Sequence, residues 1–364
     1  MYTPLEFVEQ MSSYIQIKGA PISVQRELNE KFLGYVEEYM NDNNNLVKFL
    51  YDYSMNFLTV ERTGRLPKHS EVDWSTLRDT LCKRTGLAYM DNGADFFNQM
   101  LLCSIVNEWK YHKYTYKVEG TLGKMLADME FPEGVPLRYL TRSKSNCFYV
   151  DTSEMGGLFC ERMEGFFVLT GVYNNVLLLT TVAIIRATHG RLVPIYSRLG
   201  CKLEEADSEE NIIISFSDTT CKSMRLILED GNTYEYEEET LFRFYANFLL
   251  YLQASNGDIE EENVSKKAFN SPITKDKTKI KNKYREVRAY EVGYRIIKSN
   301  KNLNKATSKT SGKGTKKSPH YRSAHWHHYW KGHGEDKELV LKWVEGIFVG
   351  GKLESEVANI REVK

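Results

Sequence analysis

The sequence predicts an α+β protein with a helical N-terminal part, a central antiparallel β-meander with helices, and a basic C-terminal β-hairpin. Three observations predict this class. Apolar residues recur at helical spacing through the first third, short apolar runs separated by Gly and Asn follow from residue 117, and a His/aromatic stretch with strand-like alternation lies near the end. With 364 residues, of which 41% are hydrophobic, the chain is long enough to bury a sizeable core.

The N-terminal third predicts a helical unit. Helical spacing of apolar residues indicates three helices within residues 4–60, with Ser23 as the N-cap of the second. Two further helices are predicted over residues 73–83 and 93–112. The aromatic residues that follow are expected to belong to the core: Trp109, Tyr111, Tyr114 and Tyr116.

The middle of the chain predicts strands that follow one another in sequence. A short helix near residues 122–126 comes first, and a strongly periodic helix over residues 238–254 ends the region. Between them lie apolar or alternating runs that predict strands, at residues 146–151, 157–163, 165–173, 176–185, 192–196, 211–216 and 224–228. We therefore divide the chain into a helical region 1–116 and a mixed α+β core 117–256.

The remaining residues are strongly basic. Residues 265–333 contain 19 Lys and Arg but 3 Asp and Glu, a net charge of +16 that offsets −16 elsewhere and leaves the chain at zero. Such a segment is typical of a surface that meets nucleic acid or a ribonucleoprotein, or of a solvated Lys-rich linker. We predict a charged linker at 257–283 and a basic His/Trp-rich region at 284–364, with a mobile loop at 299–317. Within it, residues 284–298 favour a strand, with a helix as the alternative.

Composition also limits the class of protein. Six scattered cysteines without a CxxC pair favour reduced thiols and argue against a disulfide framework or a thiolate metal site. No apolar run approaches eighteen residues, and the first residues resemble no secretory signal, so a cytoplasmic protein is expected. Nucleotide-binding, hydrolase, zinc-protease and EF-hand motifs are absent from the sequence, and no cofactor is expected.

The C-terminal His/aromatic stretch is the candidate functional centre. Five of the eight histidines lie within residues 320–333. A strand over residues 325–330 would place His325, His327 and Tyr329 on one face and Trp326, His328 and Trp330 on the other. Residues 339–344 would pair back as the second strand of a hairpin.

Several kinds of chemistry remain open for this stretch. His325 and His327 on one face are able to chelate a transition metal if His320, His333 or a distant carboxylate supplies a third ligand. Histidine beside a cation is also the composition of metal-independent RNA cleavage, with His325, His327 or His328 moving the proton and Arg322 or Lys331 as the cation. Binding is the third alternative, since His, Trp and Tyr stack on bases or grip a peptide. The fourth is a packed structural hairpin.

Three parts of the sequence resemble a known family in order. They are Trp109-Lys-Tyr-His-Lys-Tyr-Thr-Tyr with the strand Cys147-Phe-Tyr-Val-Asp, then Arg288-Ala-Tyr-Glu-Val-Gly-Tyr-Arg, and then Ser318-Pro-His-Tyr-Arg-Ser-Ala-His-Trp-His-His-Tyr-Trp-Lys-Gly with a Lys-Trp-Val strand after it. Over roughly residues 95–351 the chain resembles the phage- and plasmid-borne family that includes a type V-A anti-CRISPR.

The resemblance implies an unusual activity. The characterised member recognises the N-terminal nascent peptide of the type V effector nuclease and triggers loss of the mRNA being translated. The family arrangement, a helical part followed by a mixed α/β part, agrees with the prediction above, and no catalytic residues are carried over. The implied partner is a nascent polypeptide, with ribosome or RNA as further candidates for the basic region. The expected binding residues are Arg288, Tyr290, Arg322, His325, Trp326, His327, His328, Tyr329 and Trp330.

Overall fold

The computed structural model describes the parts of the chain that form the two cores and the hairpin. The described residues are 3–11, 21–68, 70–85, 93–132, 135, 139–140, 145–155, 158–159, 162–187, 190–202, 224–227, 233–236, 238–262, 287–294, 320–334 and 337–349. The predicted strand at 211–216 and the loop at 299–317 lie outside them. Within these residues no helix combines the length and apolar character that a bilayer crossing requires.

The described residues form seven helices and thirteen strands. The helices are α1 Thr3–Met11, α2 Ile22–Met40, α3 Asn43–Thr63, α4 Trp74–Thr85, α5 Gly93–His112, α6 Gly120–Asp128 and α7 Glu238–Tyr251. The strands are β1 Tyr114–Val118, β2 Cys147–Asp151, β3 Met163–Tyr173, β4 Val176–Arg186, β5 Leu192–Lys202, β6 Met224–Ile227, β7 Thr233–Tyr236, β8 Ile259–Glu262, β9 Arg288–Val292, β10 His320–Arg322, β11 His325–Lys331, β12 Glu338–Val344 and β13 Ile347–Val349. The predicted α+β class is confirmed.

Seven strands form one mixed sheet in the order β5-β4-β3-β2-β1-β9-β8. The predicted antiparallel meander is present as β2 to β5, each strand pairing with the next. Asn174 and Asn175 join β3 to β4 with φ of 48° and 58°, the left-handed conformation that a tight hairpin turn needs. The sequence analysis missed β1, which pairs parallel with both β2 and β9 and so makes the sheet mixed.

Each face of this sheet is covered by its own apolar core. Helices α1 to α5 pack on one face, while α6, α7 and the β11–β12 hairpin pack on the other. Neighbouring residues of β3 show the division, because the Phe167 ring lies 5.7 Å from the ring of Phe7 in α1. The ring of Phe166 lies 4.5 Å from that of Tyr245 in α7. A sheet buried on both faces explains why β3 and β4 are apolar runs rather than alternating ones.

The C-terminal strands form a two-stranded ribbon with one register. His320 pairs with Val349 in β10–β13, and His325 pairs with Val344 in β11–β12, so no residue is inserted between the two ladders. The pairing is interrupted at residues 323–324 and 345–346. The predicted hairpin of residues 325–330 with 339–344 is confirmed.

Some local predictions were wrong. Pro21, rather than Ser23, occupies the N-cap position of α2, and no side chain caps this helix. Leu158 and Phe159 lie in a bend, so the strand predicted at 157–163 does not form at these described positions. The helix predicted to end at residue 254 ends at Tyr251. Tyr111, which was expected in the core, is 57% exposed at the end of α5, where its hydroxyl donates to Oδ1 of Asn41 at 2.7 Å.

The strands also cross the divisions drawn from sequence. Strand β1 spans residue 116, β8 lies within the segment predicted as a linker, and β9 joins the central sheet.

Candidate functional site

The β11–β12 hairpin has an outer and an inner face, as the strand alternation predicts. His325, His327 and Tyr329 are exposed on the outer face. Trp326, His328 and Trp330 are half-buried on the inner face, opposite the buried side chains of Trp343, Leu341 and Leu339 in β12. The six predicted binding residues of this strand are therefore brought together but split between two environments.

The inner face is fixed to α7. The Trp326 indole Nε1 donates a hydrogen bond of 2.9 Å to Oδ1 of Asn247, which is fully buried. The Asn247 amide nitrogen donates to the carbonyl oxygens of Leu126 and Met129 at 3.1 and 2.7 Å, so one side chain joins the hairpin to the end of α6. The Trp343 ring packs edge-on against Trp326 at 5.1 Å. These aromatic residues thus pack on the sheet face that α6 and α7 cover, and not on the face that the N-terminal helices α1 to α5 cover.

The outer edge of β12 is fixed by the turn that follows α7. Asn256 donates from its amide nitrogen to the Trp343 carbonyl oxygen at 2.7 Å and accepts from the Trp343 backbone N–H at 2.9 Å. The backbone N–H of Ser255 donates to the Leu341 carbonyl oxygen at 3.0 Å. The Tyr139 hydroxyl oxygen accepts from the Leu339 N–H at 3.3 Å. The hairpin is therefore a docked and ordered element.

The outer face presents a short row of histidine, tyrosine and lysine side chains. His327 lies opposite Lys342 in the ladder, and Tyr329 lies two residues further along β11. The His327 and Tyr329 rings are 5.9 Å apart, and the Lys342 ammonium lies 5.6 Å from the centre of the Tyr329 ring. Nδ1 of His325 lies 3.2 Å from the Ser323 carbonyl oxygen. A neutral His325 ring that donates there keeps Nε2 as an acceptor towards solvent.

Arg288 and Tyr290, the other predicted binding residues, lie on β9 beside an aromatic ladder. The Tyr290 ring stacks between those of Tyr114 and Tyr116 at 6.0 and 5.4 Å. Arg288 donates from Nη1 to the Tyr114 hydroxyl oxygen at 3.0 Å. Burial raises the pKa of Tyr290 above its ordinary value. The Tyr116 ring contacts α7 through Phe248 at 5.6 Å, and α7 thereby links this patch to the hairpin.

Of the remaining candidate residues, some have side chains outside the described part of the chain. Arg322 and His320 lie in β10, but their side chains are outside the described residues. His333 is exposed in the turn after β11. Among the described side chains, no group of three or more His, Cys, Asp or Glu residues is placed to hold a metal ion. The described side chains therefore do not supply the ligands that the predicted metal site would need.

The residues that hold the hairpin were missed from sequence. Asn247 and Asn256 make the decisive hydrogen bonds, and neither was a candidate. Asn247 carried a usable signal, because it stands within the apolar run Phe244-Tyr-Ala-Asn-Phe-Leu-Leu of α7, where a buried amide needs partners. Asn256 followed by Gly257 indicated a helix end and carried no sign of its contact with Trp343.

Comparison with known proteins agrees with the resemblance drawn from sequence. A search of curated proteins found no match. Among solved structures, one described as the crystal structure of AcrVA2 is similar, with 17% identity, coverage of 88% of this chain and 99% of that chain, and a TM-score of 0.44. The AcrVA2-like family model, described as the anti-CRISPR type V subtype A2 family, matches residues 116–351. Because this match covers more than half of the chain, the protein belongs to the AcrVA2-like anti-CRISPR family.

Proposed function

We propose that this protein recognises a nascent target polypeptide and triggers loss of the mRNA being translated, and that it acts by binding rather than by catalysis. Membership of an anti-CRISPR type V family implies a CRISPR-related target, for which the type V-A effector nuclease is the first candidate. The observation that carries the binding role is the outer face of the β11–β12 hairpin, where His327 and Tyr329 are exposed on a docked scaffold.

The physical argument rests on pre-organisation. A partner that binds this face does not have to order the hairpin, because Asn247 and Asn256 already hold the strands. Imidazole and phenol rings offer apolar faces together with polar tips, and Lys331 and Lys342 add positive charge beside them. Such a surface suits a short peptide of mixed character.

Transcript measurements test the proposal. A type V-A effector gene is co-expressed with this protein, once with its start codon intact and once with the start codon destroyed. We expect loss of the effector mRNA only in the first case. Loss in both cases would contradict nascent-peptide recognition and favour direct RNA recognition or a ribonuclease that uses these histidines. Unchanged mRNA in both cases would contradict the proposal for this target.

A pair of matched double variants connects the activity to the hairpin. His327→Ala with Tyr329→Ala removes one imidazole and one phenol from the outer face. Tyr111→Ala with His112→Ala removes the same two groups from exposed positions at the end of α5. We expect the first variant to preserve the effector mRNA and the second to deplete it like the wild type. Equal activity of the two variants would contradict a role for the outer face.

A further inference from the structure

The hydrogen bonds of β12 reveal which way the backbone groups of the hairpin point. In an antiparallel strand the N–H and C=O of one residue point to the same side, and those of the next residue point to the opposite side. Trp343 uses both backbone groups to bind Asn256, and the backbone C=O of Leu341 accepts from Ser255. The backbone groups of both residues therefore point away from β11. The backbone N–H and C=O groups of Lys342, and of every second residue of β12 counted from it, must then point towards β11.

The register transfers this assignment to β11. Lys342 pairs with His327, so the backbone groups of His327 point towards β12, as do those of His325, Tyr329 and Lys331. The backbone N–H and C=O groups of Trp326, His328 and Trp330 therefore point away from the hairpin, along the outer edge of β11.

The two edges of the hairpin differ sharply. The edge of β12 has partners in Ser255, Asn256 and Tyr139. No backbone group of Trp326, His328 or Trp330 bonds to any other residue that the structure describes. Within the described part of the chain, three successive alternate positions of β11 thus leave their backbone donors and acceptors unused, and such an edge is a template for another strand.

We propose that an extended segment of the target polypeptide adds to the outer edge of β11 as a third strand. The inference rests on the proposed function and names how the same hairpin would hold its partner. An extended peptide matches the spacing of the backbone groups at Trp326, His328 and Trp330, whereas a nucleic acid has no such ladder of alternating donors and acceptors. A chain emerging from a ribosome, not yet folded, supplies an extended segment without an unfolding cost.

The register also predicts how selectivity arises. Residues of the added strand that pair with His328 and Trp330 project to the inner face, next to α7. The residues between them project to the outer face, beside His327 and Tyr329. Backbone bonds would supply affinity for many sequences, and the outer row of His, Tyr and Lys side chains would favour polar or acidic residues at alternate positions of the peptide.

Substitution of His328 by proline tests the edge directly. His328→Pro removes an outward N–H and places a ring on the edge, but it leaves the hydrogen bonds to β12 in place. His328→Ala is the matched control, since it removes the same side chain and keeps the N–H. We expect His328→Pro to bind a synthetic peptide of the effector's N-terminal residues about tenfold or more weakly than His328→Ala does, because the two variants share the loss of the imidazole and differ in the outward N–H.

The binding outcomes are distinct. Normal binding by both variants would overturn the proposal, and equal loss in both would overturn it as well, because the side chain rather than the backbone edge would then be responsible. His327→Pro tests the assignment of directions, since it removes an N–H that points to β12. It should lower the melting temperature more than His328→Pro does.

Hydrogen exchange of the wild-type protein decides the matter if the proline variant fails to fold. Adding the same peptide should slow amide exchange at Trp326, His328 and Trp330, whose outward N–H groups would become bonded to it. Unchanged exchange at these three amides with the peptide bound would overturn the edge proposal. The proposed function would survive that result if the wild type still depleted the effector mRNA in a translation-dependent manner.

Discussion

Asn247 is the residue on which the position of the hairpin depends most. Its buried amide joins the Trp326 indole to the carbonyl oxygens of Leu126 and Met129. Asn247→Leu would leave these three groups unpaired in an apolar environment, and we expect a loss of about 2–4 kcal/mol in the free energy of unfolding. Urea titration measures it.

Trp326→Phe is the graded control for that prediction. It removes the indole N–H and keeps a large ring, so we expect a smaller loss of about 1–2 kcal/mol. If Asn247→Leu lost less unfolding free energy than Trp326→Phe, the result would contradict the view that one amide holds both the hairpin and the end of α6.

Asp52 should make the folded state sensitive to pH. Its carboxylate is buried in α3 and accepts from the backbone N–H groups of Glu71 and Val72 and from the Trp74 indole. Burial outweighs these bonds and raises the pKa above the ordinary 3.8. A raised carboxyl pKa means that the folded state loses stability, relative to the unfolded state, as pH rises through the interval between the two values.

The corresponding measurement uses two aspartates with opposite shifts. As pH rises from about 3.8, the unfolding free energy of the wild type minus that of Asp52→Asn should fall. For Asp73→Asn the same difference should rise as pH rises towards about 3.8 and then level off, because hydrogen bonds from Thr76 lower the pKa of the exposed Asp73 below that value. Parallel trends for the two variants would contradict the assignment.

The residue scale also shows what sequence reasoning was able to predict. The alternation of His325 to Trp330 across two faces follows from the period of a strand, and it is confirmed. The partners of the inner face did not follow, because Asn247 and Asn256 are distant in sequence from Trp326 and Trp343. Hydrogen bonds across such separations depend on packing that no local pattern encodes.

At the scale of the element, the hairpin is predicted to depend on one face for stability. Trp343 is 3% exposed and packs between Tyr251 and Trp326, whereas the next residue, Val344, is 36% exposed. Trp343→Ala should reduce the free energy of unfolding by about 3–5 kcal/mol, since it opens a large cavity. Val344→Ala should change it by about 0.5 kcal/mol or less. Comparable losses in chemical denaturation would contradict the two-faced description.

Secondary-structure elements were predicted more reliably than their arrangement. The periodicities of 3.6 and 2 indicated most helices and the strands β2 to β5. Strand β1 was missed because its residues Tyr114–Val118 follow the aromatic end of α5 directly. Its parallel pairing with β9, which is far away in the chain, had no local signal, and neither did the place of β9 within the central sheet.

At the scale of the whole molecule, one sheet serves two cores. Phe166 and Phe167 are neighbours in β3, yet their rings pack on α7 and α1 respectively. Loss of either core exposes a face of the same strands, so we expect the described body to unfold as one cooperative unit.

Two spectroscopic probes test this cooperativity. Far-UV circular dichroism follows the helices on both faces of the sheet. Tryptophan fluorescence of Trp74→Phe with Trp109→Phe reports on the hairpin alone, because the three remaining tryptophans are Trp326, Trp330 and Trp343. The two urea transitions of this variant should coincide. An earlier fluorescence transition would show instead that the hairpin unfolds independently of the sheet.

The central claim is that the protein recognises the nascent peptide and not the RNA that encodes it. Two recoded effector genes separate these possibilities. One carries synonymous codons in its first part, which change the RNA and keep the peptide. The other carries a compensated frameshift there, which nearly keeps the RNA and changes the peptide. The account predicts that quantification of the effector mRNA shows loss for the synonymous gene and none for the frameshifted gene. The reverse result would contradict it.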